Sequence, residues 1–138
     1  MERKFLPVSI ALLTVSDTRV FETDKSGNLL ANKIEQSGHI LFERKIVKDE
    51  ILDIQKVSKK WIKKPNVEVI ISTGGTGLTG RDVSPEAFRP IFDKEIEGFG
   101  ELFRFLSFNK IGTSTIQSRE PQFFQPNHKL RQLLVHRC

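Results

Sequence analysis

An almost continuous apolar run at residues 8–15, Val-Ser-Ile-Ala-Leu-Leu-Thr-Val, constrains this chain more than any other stretch. Alternate residues of a strand point to opposite sides, so a strand that is apolar on both belongs inside a sheet covered on both faces. Residues 26–37 then read as a helix, with Ser26 as N-cap, Leu29, Leu30 and Ile34 inward, and Gly38 as the stop. Residues 39–47 alternate sides through Ile40, Phe42 and Ile46, as a strand nearer the sheet edge does. Asp49 is placed to cap a helix over 51–64 whose inner face is Ile51, Ile54, Val57 and Trp61, and residues 67–71 read as a third buried strand. Strand and helix alternate three times, which predicts an α/β layered fold with its site in the loops at the strand C-termini.

Directly behind the third strand stands Ser72-Thr73-Gly74-Gly75-Thr76-Gly77-Leu78-Thr79-Gly80-Arg81-Asp82. Glycines at this density let the backbone turn sharply with its amides bare, as an anion cradle requires. Gly75, Gly77 and Gly80 have the spacing of the dinucleotide fingerprint, but Arg81-Asp82-Val83 separate the third glycine from the next helix start at Ser84-Pro85-Glu86. The P-loop also fails, since Arg81-Asp82 stand where Lys and Ser/Thr are needed. Phosphate binding by neither standard device is the functional reading; a turn that needs glycine for positive φ is the bland one. Ser84 reads as N-cap and Pro85 as first residue of a helix to about Phe92, with a further helix over 97–107.

The chain has 138 residues, a one-domain length, and no run approaching the ~20 apolar residues of a membrane span. Its N-terminus lacks the pattern of a secretory signal, which predicts a cytoplasmic protein with no membrane partner. A single cysteine, Cys138, excludes an internal disulfide and a cysteine-based zinc site. The net charge of +5 is spread without an arginine cluster, and Lys56, Lys59, Lys60, Lys63 and Lys64 read as the solvated face of a helix rather than a nucleic-acid surface.

Three carboxylates fall at strand-to-helix junctions: Asp17, Asp49 and Asp82. Those junctions share one edge of a parallel sheet, so the three can converge beside the glycine stretch, and Mg²⁺ with phosphate oxygens needs one or two carboxylates. Asp49 has the alternative role of an ordinary cap. Ser114, Ser118 and Arg119 can reach an anionic ligand from another loop or simply face solvent. No nucleophile and base are paired in the sequence, so the residues fit positioning and metal electrostatics, the strategy of phosphoryl and nucleotidyl transfer.

These residues fall into five motifs in order: Leu13-Thr14-Val15-Ser16-Asp17-Thr18-Arg19, Ser72 through Thr79, Asp82-Val83-Ser84-Pro85-Glu86, Glu97-Gly98-Phe99-Gly100-Glu101, and Leu106-Ser107-Phe108 with Ile111-Gly112-Thr113-Ser114-Thr115. In them the chain resembles the MoaB/MogA proteins of molybdenum cofactor biosynthesis, closest to the MoaB branch. The resemblance implies a three-layer α/β/α sandwich with a mostly parallel sheet, assembling as a trimer or hexamer, binding molybdopterin and meeting other proteins of that pathway. In adenylylating members molybdopterin receives AMP from Mg-ATP, and some MoaB members do not adenylylate, so a non-catalytic molybdopterin scaffold is the alternative. Carried over by motif, Gly74, Gly75, Thr76 and Gly77 form the ligand loop, Asp49 and Asp82 serve magnesium and catalysis, and Asp17 and Ser114 line the pocket. After Arg119 the sequence departs from the family pattern, as a frameshifted gene does. Residues 1–119 are then the molybdopterin-binding domain and 120–138 an aberrant tail, either lacking the family's C-terminal strand and helix or forming a short helix through Leu130, Leu133 and Leu134. That departure implies impaired stability and weak or absent adenylylation, so an inactive product of a frameshifted gene is the further alternative.

Overall fold

The structure, a computed structural model, describes residues 4–74, 83–92, 94–95, 122–125 and 131–136. The glycine stretch beyond Gly74, the expected helix over 97–107 and the Ser114 loop lie outside the described residues. In chain order the elements are β1 (Ser9–Val15), α1 (Lys25–Gln36), β2 (Ile40–Val47), α2 (Ile51–Ile62), β3 (Val69–Thr73), α3 (Ser84–Phe88), β4 (Lys94–Glu95), β5 (Gln122–Gln125) and β6 (Arg131–His136), with a 3-10 turn at Arg89–Ile91. The strands form one sheet in the order β2-β1-β3-β6-β5-β4. The first four run parallel and the last two pair antiparallel. This is the α/β fold with a mostly parallel sheet that the alternating pattern predicts.

The chain steps from β1 to β2 on one side and then crosses back over β1 to β3. Right-handed crossovers in opposite directions put α1 and α2 on opposite faces of the sheet. Side chains follow that division. Ala11, Leu13 and Val15 of β1 join Ile54, Trp61 and Ile62 of α2 and Ala87 and Phe88 of α3 in one core cluster. On the other face Thr14 meets Asp24 at the start of α1, where Ala31 and Ile34 are buried. β1 is therefore covered twice, which is why its sequence is apolar at nearly every position.

Helix ends differ from the sequence reading in instructive ways. Asp24, not Ser26, caps α1, its side chain accepting from the Gly27 amide at 3.1 Å. At the other end Gly38 takes φ +84°, with Gly38 N–H donating to Glu35 C=O and His39 N–H to Ile34 C=O, the paired bonds of a Schellman stop. α2 begins after Glu50, which makes no side-chain cap bond, so Asp49 is not its cap. α3 gives way to the 3-10 turn at Arg89 because Pro90 has no N–H to continue the helix. Val83 rather than Ser84 is its N-cap, and the Ser84 hydroxyl donates instead to the Gly74 carbonyl at 2.9 Å.

Strand limits also shift. β3 starts at Val69, two residues later than the apolar pattern suggests, because Val67 N–H is still bonded to the Lys64 carbonyl. Between β1 and β2 the register slips once: Ile10 faces Leu41, the next residue Ala11 faces Glu43, and Phe42 is the extra residue of a bulge. In the tail, residues 131–136 form a strand parallel to β3 rather than a short helix, so β3 is not left at an edge. Pairing is the favoured outcome for such a segment, because an open strand leaves a row of unsatisfied backbone groups. No helix follows the 3-10 turn among the described residues.

Trp61 is fully buried, and its indole N–H reaches the Glu43 carboxylate at 3.2 Å, tying α2 to β2. Replacing Trp61 with Ala is expected to lower the unfolding free energy by about 3–5 kcal/mol. Denaturant titration of the two proteins measures it, and a loss below about 1 kcal/mol would contradict the packing described.

Candidate functional site

The connection leaving β1 runs to β2 on one side while β3 pairs on the other, and a crevice lies beyond the C-terminal ends of β1 and β3, the usual ligand position in an open parallel sheet. A cavity of about 420 Å³ occupies it, lined by Thr14, Val15, Ser16, Arg19, Asp24, Lys25, Ser26, Leu29, Thr73 and Gly74. Its contributors are the end of β1, the following turn, the first turn of α1 and the end of β3. Gly74 has φ +97°, and a side chain there would run into the Val15 carbonyl, so the chain leaves β3 by a path that only glycine follows without strain. The bond from Ser84 then ties the start of α3 back to this point.

The opposite wall is held by ionic chemistry. Asp24 is 1% exposed and accepts from Thr14 Oγ1 at 2.6 Å on β1, from Arg44 at 3.0 Å on β2, and from the Gly27 amide in α1. Arg44 also donates to Asn28 Oδ1 at 2.7 Å and lies over the Phe21 ring, 5.1 Å from its centroid. Burial pushes the Asp24 carboxyl upward, but the bonds from Thr14, Arg44 and Gly27 and the charge of Arg44 outweigh it and hold the group below its ordinary value of 3.8. Gly27 has no room for a Cβ, which would collide with the Asp24 carboxylate.

The turn after β1 is organised by Ser16, whose hydroxyl oxygen accepts from the amides of Thr18 and Arg19 at 3.3 and 3.2 Å. Arg19 in turn donates to the Thr23 carbonyl at 2.8 Å. Asp17 Oδ1 accepts from the Asp49 amide at 3.2 Å, so the junctions after β1 and β2 meet. A second cavity of about 430 Å³ lies between that turn and the end of β2, with Ser16 and Arg19 shared between the two.

The sequence placed Asp17, Asp49 and Gly74 at this edge, and the structure brings the first two into contact and sets Gly74 in the wall of the first cavity. Gly75, Thr76, Gly77, Asp82 and Ser114 lie outside the described residues. Sequence reasoning missed Thr14, Asp24 and Arg44. The signals for them were a carboxylate three residues ahead of Gly27, which is a cap pattern, and a charged residue between Phe42 and Ile46 on an otherwise inward-facing register. Among the described residues no group of three or more His, Cys, Asp or Glu can hold a metal ion. Asp17 meets the Asp49 backbone and not its carboxylate, so of the two residues expected at magnesium the described structure places only Asp49 at this edge, and a single carboxylate beside a ligand's phosphates is a donor set that Mg²⁺ accepts.

Fold and crevice together define an α/β domain with a cavity at a topological switch point beside Gly74. Comparison with known proteins makes the class specific. Residues 11–129 match the family described as "Probable molybdopterin binding domain". Molybdenum cofactor biosynthesis protein B of Escherichia coli (strain K12) is 49% identical over 116 residues, which are 84% of this chain and 68% of that protein. The protein of the same name from Halalkalibacterium halodurans is 46% identical over 120 residues, 85% of this chain and 71% of its own. A crystal structure of a molybdenum cofactor biosynthesis protein B superposes with a TM-score of 0.87 at 40% identity, covering 96% of this chain and 83% of that one. The tungsten cofactor synthesizing protein MoaB from Pyrococcus furiosus superposes with a TM-score of 0.82 at 30% identity, covering 95% and 82%. The chain belongs to the MoaB/MogA family of molybdopterin-binding domains.

Because the Asp24 carboxyl is depressed in the folded state, its contribution to stability is present above the unfolded value and is lost as pH falls through the folded one. Stability is therefore expected to decline below about pH 4. Asp24→Asn removes that part of the decline and leaves Arg44 without its counter-charge, costing about 3 kcal/mol near neutrality. Urea titrations of both proteins between acid and neutral pH test this, and an unchanged acid limb in Asp24→Asn would refute it.

Proposed function

We propose that this protein binds molybdopterin in the crevice between β1 and β3 and adenylylates it with Mg-ATP. The observation that carries the reading is the wall of that crevice: Gly74 at positive φ, with Ser16, Ser26, Arg19 and Lys25 around it, offers hydroxyls and cations to a phosphate. Family membership supplies the ligand's identity.

In the proposed reaction an oxygen of the molybdopterin phosphate attacks the α-phosphorus of ATP. A P–O bond forms there as the bond to the bridging oxygen breaks, and pyrophosphate leaves with that oxygen and its electron pair. Asp49, with Asp82 from the glycine stretch, would hold magnesium, which when bound neutralises the triphosphate and its leaving group. Asp17 fixes the junction that carries Asp49 through the Asp49 amide. Arg19 and Lys25 bind and orient phosphate, and Gly74 lets the backbone approach it. The same reading has the protein in the cytoplasm as a trimer or hexamer, working beside other proteins of molybdenum cofactor synthesis. No described helix is long and apolar enough to cross a membrane.

The test incubates the purified protein with molybdopterin, ATP and magnesium and follows adenylylated molybdopterin and pyrophosphate. Turnover is expected in the wild type, with a loss of about a hundredfold or more in Asp49→Asn and in Asp82→Asn while molybdopterin binding persists. Binding without turnover in the wild type would refute the transfer and leave a scaffold. No binding at all would refute the whole reading.

A further inference from the structure

Helix α2 turns to solvent four lysines that neither the core nor the crevice uses. Its other sides are spent inside the molecule: Ile54, Ser58, Trp61 and Ile62 are buried, Gln55 Nε2 donates to the Ala87 carbonyl at 3.0 Å, and Lys64 lies over the Phe42 ring. Left outside are Lys56, Lys59, Lys60 and Lys63, with Leu52 at their N-terminal end, 79% exposed. At 3.6 residues per turn these side chains share one stripe about 100° wide and about 16 Å long. Leu52 follows Asp49 closely in the chain, so the apolar end of the stripe lies at the ligand edge and Lys63 at the far one.

A face meant for water alone intersperses opposite charges, because like charges three or four residues apart oppose helix formation. Here Lys56 precedes Lys59 and Lys60 at those spacings, and both precede Lys63 at them. Asp53 is the helix's own acid, in its first turn, and among the described residues none of the four lysines makes an ion pair. The stripe is a concentrated positive potential kept at a cost to the helix, and an opposite charge from outside relieves it.

Its chemistry selects among anionic partners. It holds no arginine to grip a phosphate in two places and no aromatic ring on which a base stacks, since Trp61 is fully buried. A second copy docked about a two-fold axis would set lysine against lysine. Carboxylates spaced along one helix match ammonium groups spaced along another, and an apolar residue beside them covers Leu52.

We propose that this stripe of α2 is a docking surface for an acidic helical segment of a partner protein, with Leu52 as its apolar anchor. The surface is independent of the adenylylation reading, since no residue of the crevice takes part. A partner held there has its anchored end beside the junction where Asp17 meets the Asp49 amide.

A dye-labelled helical peptide as long as the stripe, with glutamates at three- and four-residue spacing and a leucine at one end, is titrated with the full chain at about 150 mM salt and followed by fluorescence anisotropy. Combining Lys56→Gln, Lys59→Gln, Lys60→Gln and Lys63→Gln is expected to weaken binding about 10- to 100-fold, whereas Lys33→Gln, at an exposed site on α1, leaves it unchanged. Leu52→Ser is expected to cost about 5- to 10-fold, and nothing when the peptide's own leucine is replaced by serine. Lys56→Glu is expected to weaken binding about tenfold while holding or raising the thermal midpoint, because its repulsion of Lys59 and Lys60 becomes attraction. That opposite movement separates loss of docking from loss of fold. The inference is overturned if the wild type does not bind the peptide, if the lysine variants bind as the wild type does, or if Leu52→Ser changes nothing. It is overturned equally if an oligodeoxythymidine of the same charge displaces the peptide at equal or lower concentration, which makes the stripe a general polyanion surface.

Discussion

The ion pair of Asp24 with Arg44 is where β1, α1 and β2 meet, and the ligand edge depends on it. Taking two charges out of water is costly, and their attraction repays that cost only when the remaining hydrogen-bonding capacity is also satisfied. Here Thr14 donates from the strand, the Gly27 amide from the helix, and Asn28 accepts on the far side of Arg44, while among the described residues Arg44 Nε is the one buried donor of the cluster left without a partner. Such a cluster tolerates one arrangement and few others. It sets how far α1 stands from the sheet, and so sets the width of the crevice that Lys25 and Ser26 line.

Much of this was legible beforehand, for a physical reason. Strands covered on both faces, helices with one apolar stripe and glycine stops are local patterns, and the order of the elements then leaves few topologies. Asp17, Asp49 and Gly74 could be assigned to one edge because parallel strands end there. Local reasoning failed where two local signals competed: Asp24 and Ser26 are both good caps, and only the contacts with Thr14 and Arg44 select the first. Arg44 itself was out of reach, since its facing depends on the β1–β2 register, a property of two segments and not of either one. The tail shows the known ambiguity of a short apolar run, in which Leu133-Leu134-Val135 suits a helix or a buried strand until a partner such as β3 decides.

The comparisons extend unevenly along the chain. Sequence identity to the Escherichia coli relative covers 84% of it, whereas superposition on the crystal structure of a protein B covers 96%. Residues 122–125 and 131–136 pair into the same sheet as β1 to β3, so the expected aberrant tail follows the sheet's geometry. Backbone hydrogen bonding is far less sensitive to side-chain identity than a ligand site is, so a sheet constrains the sequence of such a strand less than a pocket constrains its loops.

The bulge at Phe42 carries the farthest consequence. Side chains on a strand alternate, so the one extra residue decides which face every later residue of β2 presents. With it, Arg44 lies opposite Leu12 and shares the face on which Thr14 meets Asp24. Were Phe42 paired in the ladder instead of bulged out, Arg44 would lie opposite Leu13 and be driven into the apolar layer around Ile54 and Trp61, while Glu43 turned toward Asp24. The bulge, and not the composition of β2 alone, thus sets the sign of the charge that faces Asp24.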